Sequence, residues 1–270
     1  MIQNSSVVDK SYLKLVIQVS MNGLSFATID KISNKPLALH TIKMGKVIAN
    51  TKIEDLFNQA FDSHPELKAS YDDVVIIHHN NLSTFVPTAL FDEDYLGSYL
   101  QFNTQVFETD FFAFDELPQY EMNTVYIPYV NMNNYFIDQF GSFEYKHSNT
   151  ILVQKLLDLS KNNEERKMYV HINESHFEII VVQNQKLELY NSFDYSTPED
   201  LLYYILFTAE QLQLNPEKFS LELLGKISEW DSLYSIIYTY VRHVRLFDVS
   251  TMENMFTEFE NREHFILLNS

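Results

Sequence analysis

Short apolar runs broken by polar turns dominate the first eighty residues. Residues 14–20 (KLVIQVS) and 24–30 (LSFATID) are predicted strands. Asn22-Gly23 between them is a hairpin signal, because asparagine and glycine tolerate the positive φ of a tight turn. A third strand is predicted over 36–44 (PLALHTIKM). Thr51 with Glu54 three residues on forms a capping-box pattern, and Leu56, Phe57, Ala60 and Phe61 give the following helix an apolar face. After Asp72-Asp73, residues 74–79 (VVIIHH) read as a buried strand.

The second half repeats this order. Strands are predicted over 168–172 (MYVHI), 176–182 (HFEIIVV) and 186–193 (KLELYNSF). Thr197-Pro198-Glu199-Asp200 then starts a helix, with a cap, a proline at the first position and acids in the first turn. That helix runs to Leu214, and 219–224 (FSLELL) is the fourth strand. Between the repeats the pattern predicts strands near 85–87, 111–114, 124–129 and 143–145. It predicts helices over 92–102, 131–141 and 148–159, the last with Ile151, Leu152, Leu156 and Leu159 on one side. The polar stretch Ser160 to Lys167 reads as a linker, which divides the chain into 1–164 and 165–270. Past the second repeat, helices are predicted over 230–241 and 251–259, with a strand at 244–247 between them. Met252, Met255, Phe256 and Phe259 form a stripe expected to pack in a core.

Composition narrows the function classes. With 19 basic and 37 acidic groups the net charge is −18, which repels phosphate backbones and anionic membranes. No broad nucleic-acid surface and no membrane association are expected. The chain has no cysteine, which removes disulfides, thiolate metal sites and cysteine nucleophiles. No leader pattern stands in Met1 to Lys10 and no apolar run approaches the roughly 18 residues of a membrane span, so a cytoplasmic protein is expected. Glycine is scarce, five in all: Gly23, Gly45, Gly97, Gly141 and Gly225. Phosphate-binding loops need glycine for sharp turns and close backbone approach, so few such loops fit.

A three-stranded meander followed by helix and strand, occurring twice, resembles the plan of the actin-like ATPase (ribonuclease H-like) superfamily. More narrowly, the chain resembles the DUF3822 family of uncharacterised bacterial proteins. The resemblance rests on NGLSF at 22–26, FVPTALF at 85–91, VYIPYVN at 125–131 and FEYKHSNTIL at 143–152. It rests also on HINESHFEIIVV at 171–182, YNSFDYSTPEDLLYYILF at 190–207 and LLGKI at 223–227. It implies an α/β class: a duplicated actin-like fold of two lobes, each with a mixed sheet flanked by helices.

The superfamily plan places an Asp at the end of each lobe's first strand, where it holds Mg²⁺ and orients the attacking water. Here those positions read Ser20 and Asn173, both neutral. The first hairpin keeps Asn22 and Gly23; the second reads Glu174-Ser175-His176 and has no glycine. The nucleoside loop retains Gly225 with Lys226 in the second place. No catalytic residue, no metal site and no cofactor are therefore expected, ATP with Mg²⁺ included. His78-His79 lie on opposite faces of a strand, and His171 and His176 differ by an odd number across a turn, so neither pair is expected to share a metal ion.

Two readings follow. The first is a non-catalytic binding or scaffold protein with degenerate phosphate loops and an unidentified protein partner. The alternative is a nucleotide- or metabolite-binding protein or enzyme using an altered cleft between the lobes. That cleft would be lined by Ser20, Asn22, Gly23, Asn173, Glu174, Ser175, Gly225 and Lys226. The plain structural reading of the same residues is two hairpin turns and a strand end.

Overall fold

Alternation of apolar and polar side chains along LKLVIQVS produces β1 (Leu13–Ser20), which turns through Met21 and Asn22 into β2 (Gly23–Asp30) and then β3 (Lys35–Lys43). The computed structural model describes residues 10–43, 53–252 and 255–270. The capping box at Thr51, the polar N-terminal stretch up to residue 9, Met44, Gly45, Glu253 and Asn254 lie outside the described residues. The order continues with α1 (Ile53–Ser63), β4 (Asp73–His78), β5 (Ser83–Pro87), α2 (Leu96–Leu100), β6 (Ala113–Leu117) and β7 (Met122–Tyr126). It runs on through α3 (Val130–Phe140), β8 (Glu144–His147), α4 (Ser148–Leu159), β9 (Lys167–Ile172), β10 (His176–Gln183) and β11 (Lys186–Asp194). It ends with α5 (Pro198–Gln211), β12 (Ser220–Gly225), α6 (Ser232–Tyr240), β13 (His243–Leu246), α7 (Glu258–Glu263) and α8 (Phe265–Leu268).

The strands form two five-stranded mixed sheets of the same design. One has the order β3-β2-β1-β4-β8 and the other β11-β10-β9-β12-β13. In each, the first three strands are an antiparallel meander and the fourth lies parallel to the first. The hairpin registers match as well: Ser20 stands opposite Gly23, and the Asn173 N–H donates to the His176 carbonyl. The duplication predicted from element order is therefore present in strand order and register. A third sheet, β5-β7-β6, is a separate three-stranded meander.

The chain divides into two compact units. One holds the residues up to His78, Tyr129–Lys146 and Ser270; the other holds His79–Pro128 and His147–Asn269. The polar stretch at Ser160 to Lys167 lies inside the second unit. In the first unit, β1, β2 and β4 bury Leu15, Ile17, Val19, Phe26 and Ile76 against α1 and α3, where Phe57, Phe61, Tyr135 and Phe136 interlock edge and face. In the second, Met168, Val170, Ile172, Phe177, Ile179 and Val181 meet Leu201 and Ile205 of α5 and Ile237 of α6. Helix α5 begins as its sequence predicts: Thr197 caps the Asp200 N–H, and the Asp200 carboxylate reaches back to the Thr197 N–H at 2.9 Å.

Several expectations needed correction. Leu159 ends α4 at 59% exposure, where the helix runs past its core, while Ile151, Leu152 and Leu156 are buried. Of the helix predicted over 251–259, the described residues are helical only from Glu258, where Thr257 makes a capping box with Glu260. Met255 is 76% exposed and Phe259 38%, so the predicted core stripe is not a core. The helix predicted over 92–102 is reduced to α2, because the Asp92 side chain caps a single 3₁₀ turn ahead of it.

Candidate functional site

In the first unit the predicted site residues form a closed turn. The Ser20 hydroxyl donates to the Gly23 carbonyl at 3.1 Å and accepts from the Asn22 N–H at 3.3 Å. The hydroxyl thereby ties the hairpin to itself.

In the second unit the structure brings the other five together at the C-terminal ends of β9 and β12. Gly225 pairs with Ile172 across the parallel ladder at φ +87°, and a Cβ there would meet the Ile172 carbonyl oxygen at 2.3 Å. Only glycine permits that approach. The next N–H, of Lys226, donates to the same carbonyl at 2.8 Å. The Lys226 ammonium donates to Glu174 Oε1 at 2.6 Å, and that bond raises the lysine above its ordinary pKa. Tyr195 clasps the turn from the far side, its hydroxyl donating to the Asn173 carbonyl at 2.7 Å and its N–H to the Ser175 carbonyl at 3.1 Å.

Behind this turn lies a cluster centred on a residue that the sequence reading did not single out, Glu178. It is fully buried, as is His171 beside it at 2% exposure. His171 Nδ1 donates to Glu178 Oε2 at 2.9 Å, Asn173 Nδ2 donates to the same oxygen at 3.0 Å, and His176 Nε2 lies 3.3 Å from Oε1. Burial alone would raise the Glu178 pKa, but the two imidazoles outweigh it and hold the carboxyl well below its usual range. Burial lowers the pKa of His176 and Glu178 raises it; the carboxylate wins, and the imidazole titrates higher than usual.

His171 and His176, which were not expected to share a metal ion, thus meet on one carboxylate. Odd spacing separates faces within one strand, but these two lie on different strands. His171 stands directly opposite Glu178 in the β9–β10 ladder, and His176 precedes Glu178 by two on the same strand. Cross-strand pairing and period-two alternation put all three on one face.

The cluster extends to His79. Its Nε2 donates to Asn173 Oδ1 at 3.0 Å and its Nδ1 accepts from the Ser148 hydroxyl, also at 3.0 Å. Burial, helped by the neighbouring His176 and His171, pushes the His79 pKa down to about 3. His78, by contrast, belongs to the first unit: Nδ1 accepts the Tyr129 N–H at 3.2 Å and Nε2 donates to Asn133 Oδ1 at 2.9 Å. Burial pulls its pKa to about 4. The two adjacent histidines have separate partners, as alternation requires.

A second buried group surrounds the start of α4. His147 Nδ1 caps the Asn149 N–H at 3.1 Å, and Asp115 accepts from the His147 N–H, the Thr150 hydroxyl and the Tyr126 hydroxyl. Asn149 donates to Ser83 at 3.1 Å and to Tyr190 at 2.6 Å. Chemically, a carboxylate gripped by imidazoles is an acid–base pair. Enclosed as it is, this one orients and charges its neighbours instead of facing solvent. Among the described residues no group of three His, Asp or Glu side chains is arranged to hold a metal ion. Among them, too, no helix is long and apolar enough to cross a membrane.

Comparison with known proteins agrees with this architecture. A crystal structure from Bacteroides thetaiotaomicron VPI-5482, of a protein with actin-like ATPase fold and unknown function, superposes with a TM-score of 0.81 at 21% identity, covering 96% of each chain. The PilM-PilN type IV pilus biogenesis complex contains a chain that superposes with a TM-score of 0.64 at 11% identity, covering 94% of this chain and 96% of that one. None of the curated proteins matches. The fold is the actin-like one, with two mixed sheets flanked by helices. The DUF3822 family, described as protein of unknown function, matches residues 2–244, and the chain belongs to that family.

Proposed function

We propose that this chain is a non-catalytic binding protein, an actin-like body that serves as a scaffold for a protein partner. One observation carries the reading. The two strand ends where the fold's carboxylates would stand are Ser20 and Asn173; Ser20 is engaged within its own hairpin, and Asn173 with Glu178 and His79. A neutral hydroxyl and amide cannot supply the negative charge that draws Mg²⁺ to a nucleotide phosphate. Lys226, which follows Gly225 at the end of β12, is held by Glu174. The PilM chain, a fold neighbour, occurs in a complex with PilN, which supports a partner-binding role for a body of this shape.

Calorimetric titration with ATP·Mg²⁺ tests the reading. The expected result is no heat and no released phosphate. Micromolar binding accompanied by turnover would overturn it and favour the enzyme reading.

A further inference from the structure

The helices that cover the second sheet carry aromatic side chains on their outward faces. On α5, Tyr203 is 61% exposed and Phe207 44%, one turn apart, with ring centroids 5.9 Å apart and planes nearly parallel. On α6, Tyr238 is 63% exposed and stacks at 6.0 Å on Tyr234, which is half-buried against the core. Trp230, four residues before Tyr234, is 93% exposed. Helices α5 and α6 pack against each other, so these rings belong to one helical layer. Leaving such side chains in water forgoes the gain of burying them, and concentrated aromatic exposure is characteristic of interaction surfaces.

Charge selects the occupant. Neither α5 nor α6 contains a Lys, Arg or His. Glu199 and Glu210 are exposed on α5, and Glu229 is exposed beside Trp230. Burial first, and Glu229 second, hold the Tyr234 hydroxyl above its ordinary pKa, which places that carboxylate's field over the rings. Arg242, beyond the end of α6, is already paired with Glu217 at 3.4 Å. A second copy of the same face would set carboxylate against carboxylate on chains of net charge −18. Lys and Arg side chains satisfy both halves of the surface: their cationic ends favour aromatic faces, and their charge answers the acidic rim.

We propose that the outer face of α5 and α6 docks a basic amphipathic segment of a protein partner. Its cationic side chains lie over the Tyr203–Phe207 and Tyr234–Tyr238 rings, between the flanking carboxylates. This rests on the binding-protein reading above and specifies the partner's chemistry and its place of contact.

Trp230 is the only tryptophan, so its emission reports directly on this surface. The full chain is titrated with a synthetic Lys-Leu amphipathic helical peptide and with a Glu-Leu peptide of equal length. The Lys-Leu peptide is expected to bind with a blue shift of the Trp230 emission, and the Glu-Leu peptide not to bind. The double variant Tyr203→Ser/Phe207→Ser, or Tyr203→Ser alone if the double variant melts early, is expected to weaken binding about tenfold or more. Phe102→Ser, at a side chain 90% exposed outside these helices, should leave binding unchanged. Absence of binding overturns the proposal, as does equal binding by the Tyr203 and Phe207 variants. So does self-association in sedimentation that disappears in those variants, which would assign the face to a second copy. ATP turnover on the same sample would defeat the non-catalytic reading whatever the peptide does; failure of the peptide alone leaves that reading standing.

Discussion

The two sheets place different chemistry at equivalent points. In the first, Gln18 on β1 stands opposite Ser25 on β2, which in turn faces Thr41 on β3. In the second, the same three positions are His171, Glu178 and Ser192. The Ser25–Thr41 contact, at 3.2 Å, is exposed, whereas Glu178 is fully enclosed. In the second unit α4 lies against β10 and β11, with Asn149 bonded to Tyr190 on this face. Register sets which residues meet; the covering helix decides whether their meeting is in water or out of it. A charge becomes tolerable in the covered position only because donors surround it.

The largest test of this contrast is to remove the charge. Glu178→Ala strands His171, His176 and Asn173 without their acceptor, and should destabilise by about 3–5 kcal/mol in urea unfolding. Ser25→Ala at the matching point should stay within about 0.5 kcal/mol. Equal effects at the two positions would show that the enclosure contributes nothing.

The neighbouring strand ends give a second test. Gly225→Ala forces a Cβ against the Ile172 carbonyl at positive φ and should destabilise by about 1–3 kcal/mol, read as a lower urea midpoint. An unchanged midpoint would mean that the β9–β12 ladder shifts freely at that end.

Acidification separates the histidines from the carboxylate. His78 and His79 have folded pKa values depressed to about 4 and about 3, so the stability that each confers is present above the unfolded value near 6.5. It declines as pH falls through that value towards the folded ones. Glu178, also depressed, contributes stability above its unfolded value, lost as pH falls below it. His176, raised, acts oppositely: its contribution is complete below about 6.5 and is lost as pH climbs through its folded pKa. The urea midpoint should therefore fall between pH 6.5 and 4, and His79→Gln should flatten that slope. A slope unchanged in the variant would remove His79 from the account.

The smallest effect is expected at the surface. Lys226→Ala breaks a half-exposed pair with Glu174 and should change stability by no more than about 1 kcal/mol, measured by the same urea titration with and without added salt.

Much of this architecture was legible along the chain because it depends on local rules. The meanders follow from period-two alternation, the hairpin at Asn22-Gly23 from turn chemistry, and the start of α5 from Thr197, Pro198 and Asp200. The neutral residues at Ser20 and Asn173 were equally visible, since the strand ends could be located by pattern alone. What escaped the sequence was the convergence on Glu178, and the signal for it was faint. A lone glutamate inside HFEIIVV breaks an apolar run, and alternation sets it on the face of His176, but nothing local says that His171 stands across from it. The stripe from Met252 to Phe259 failed for the converse reason: its residues are apolar, yet Met255 is left exposed among the described residues.

The sequence by itself thus determined the elements, their order and the neutral residues at the strand ends, because each is written within a few consecutive residues. Tertiary structure alone decided which polar groups share one enclosed space. Strand pairing joins residues distant in the chain, and the helix packed over them removes the water that would otherwise make their identities unimportant.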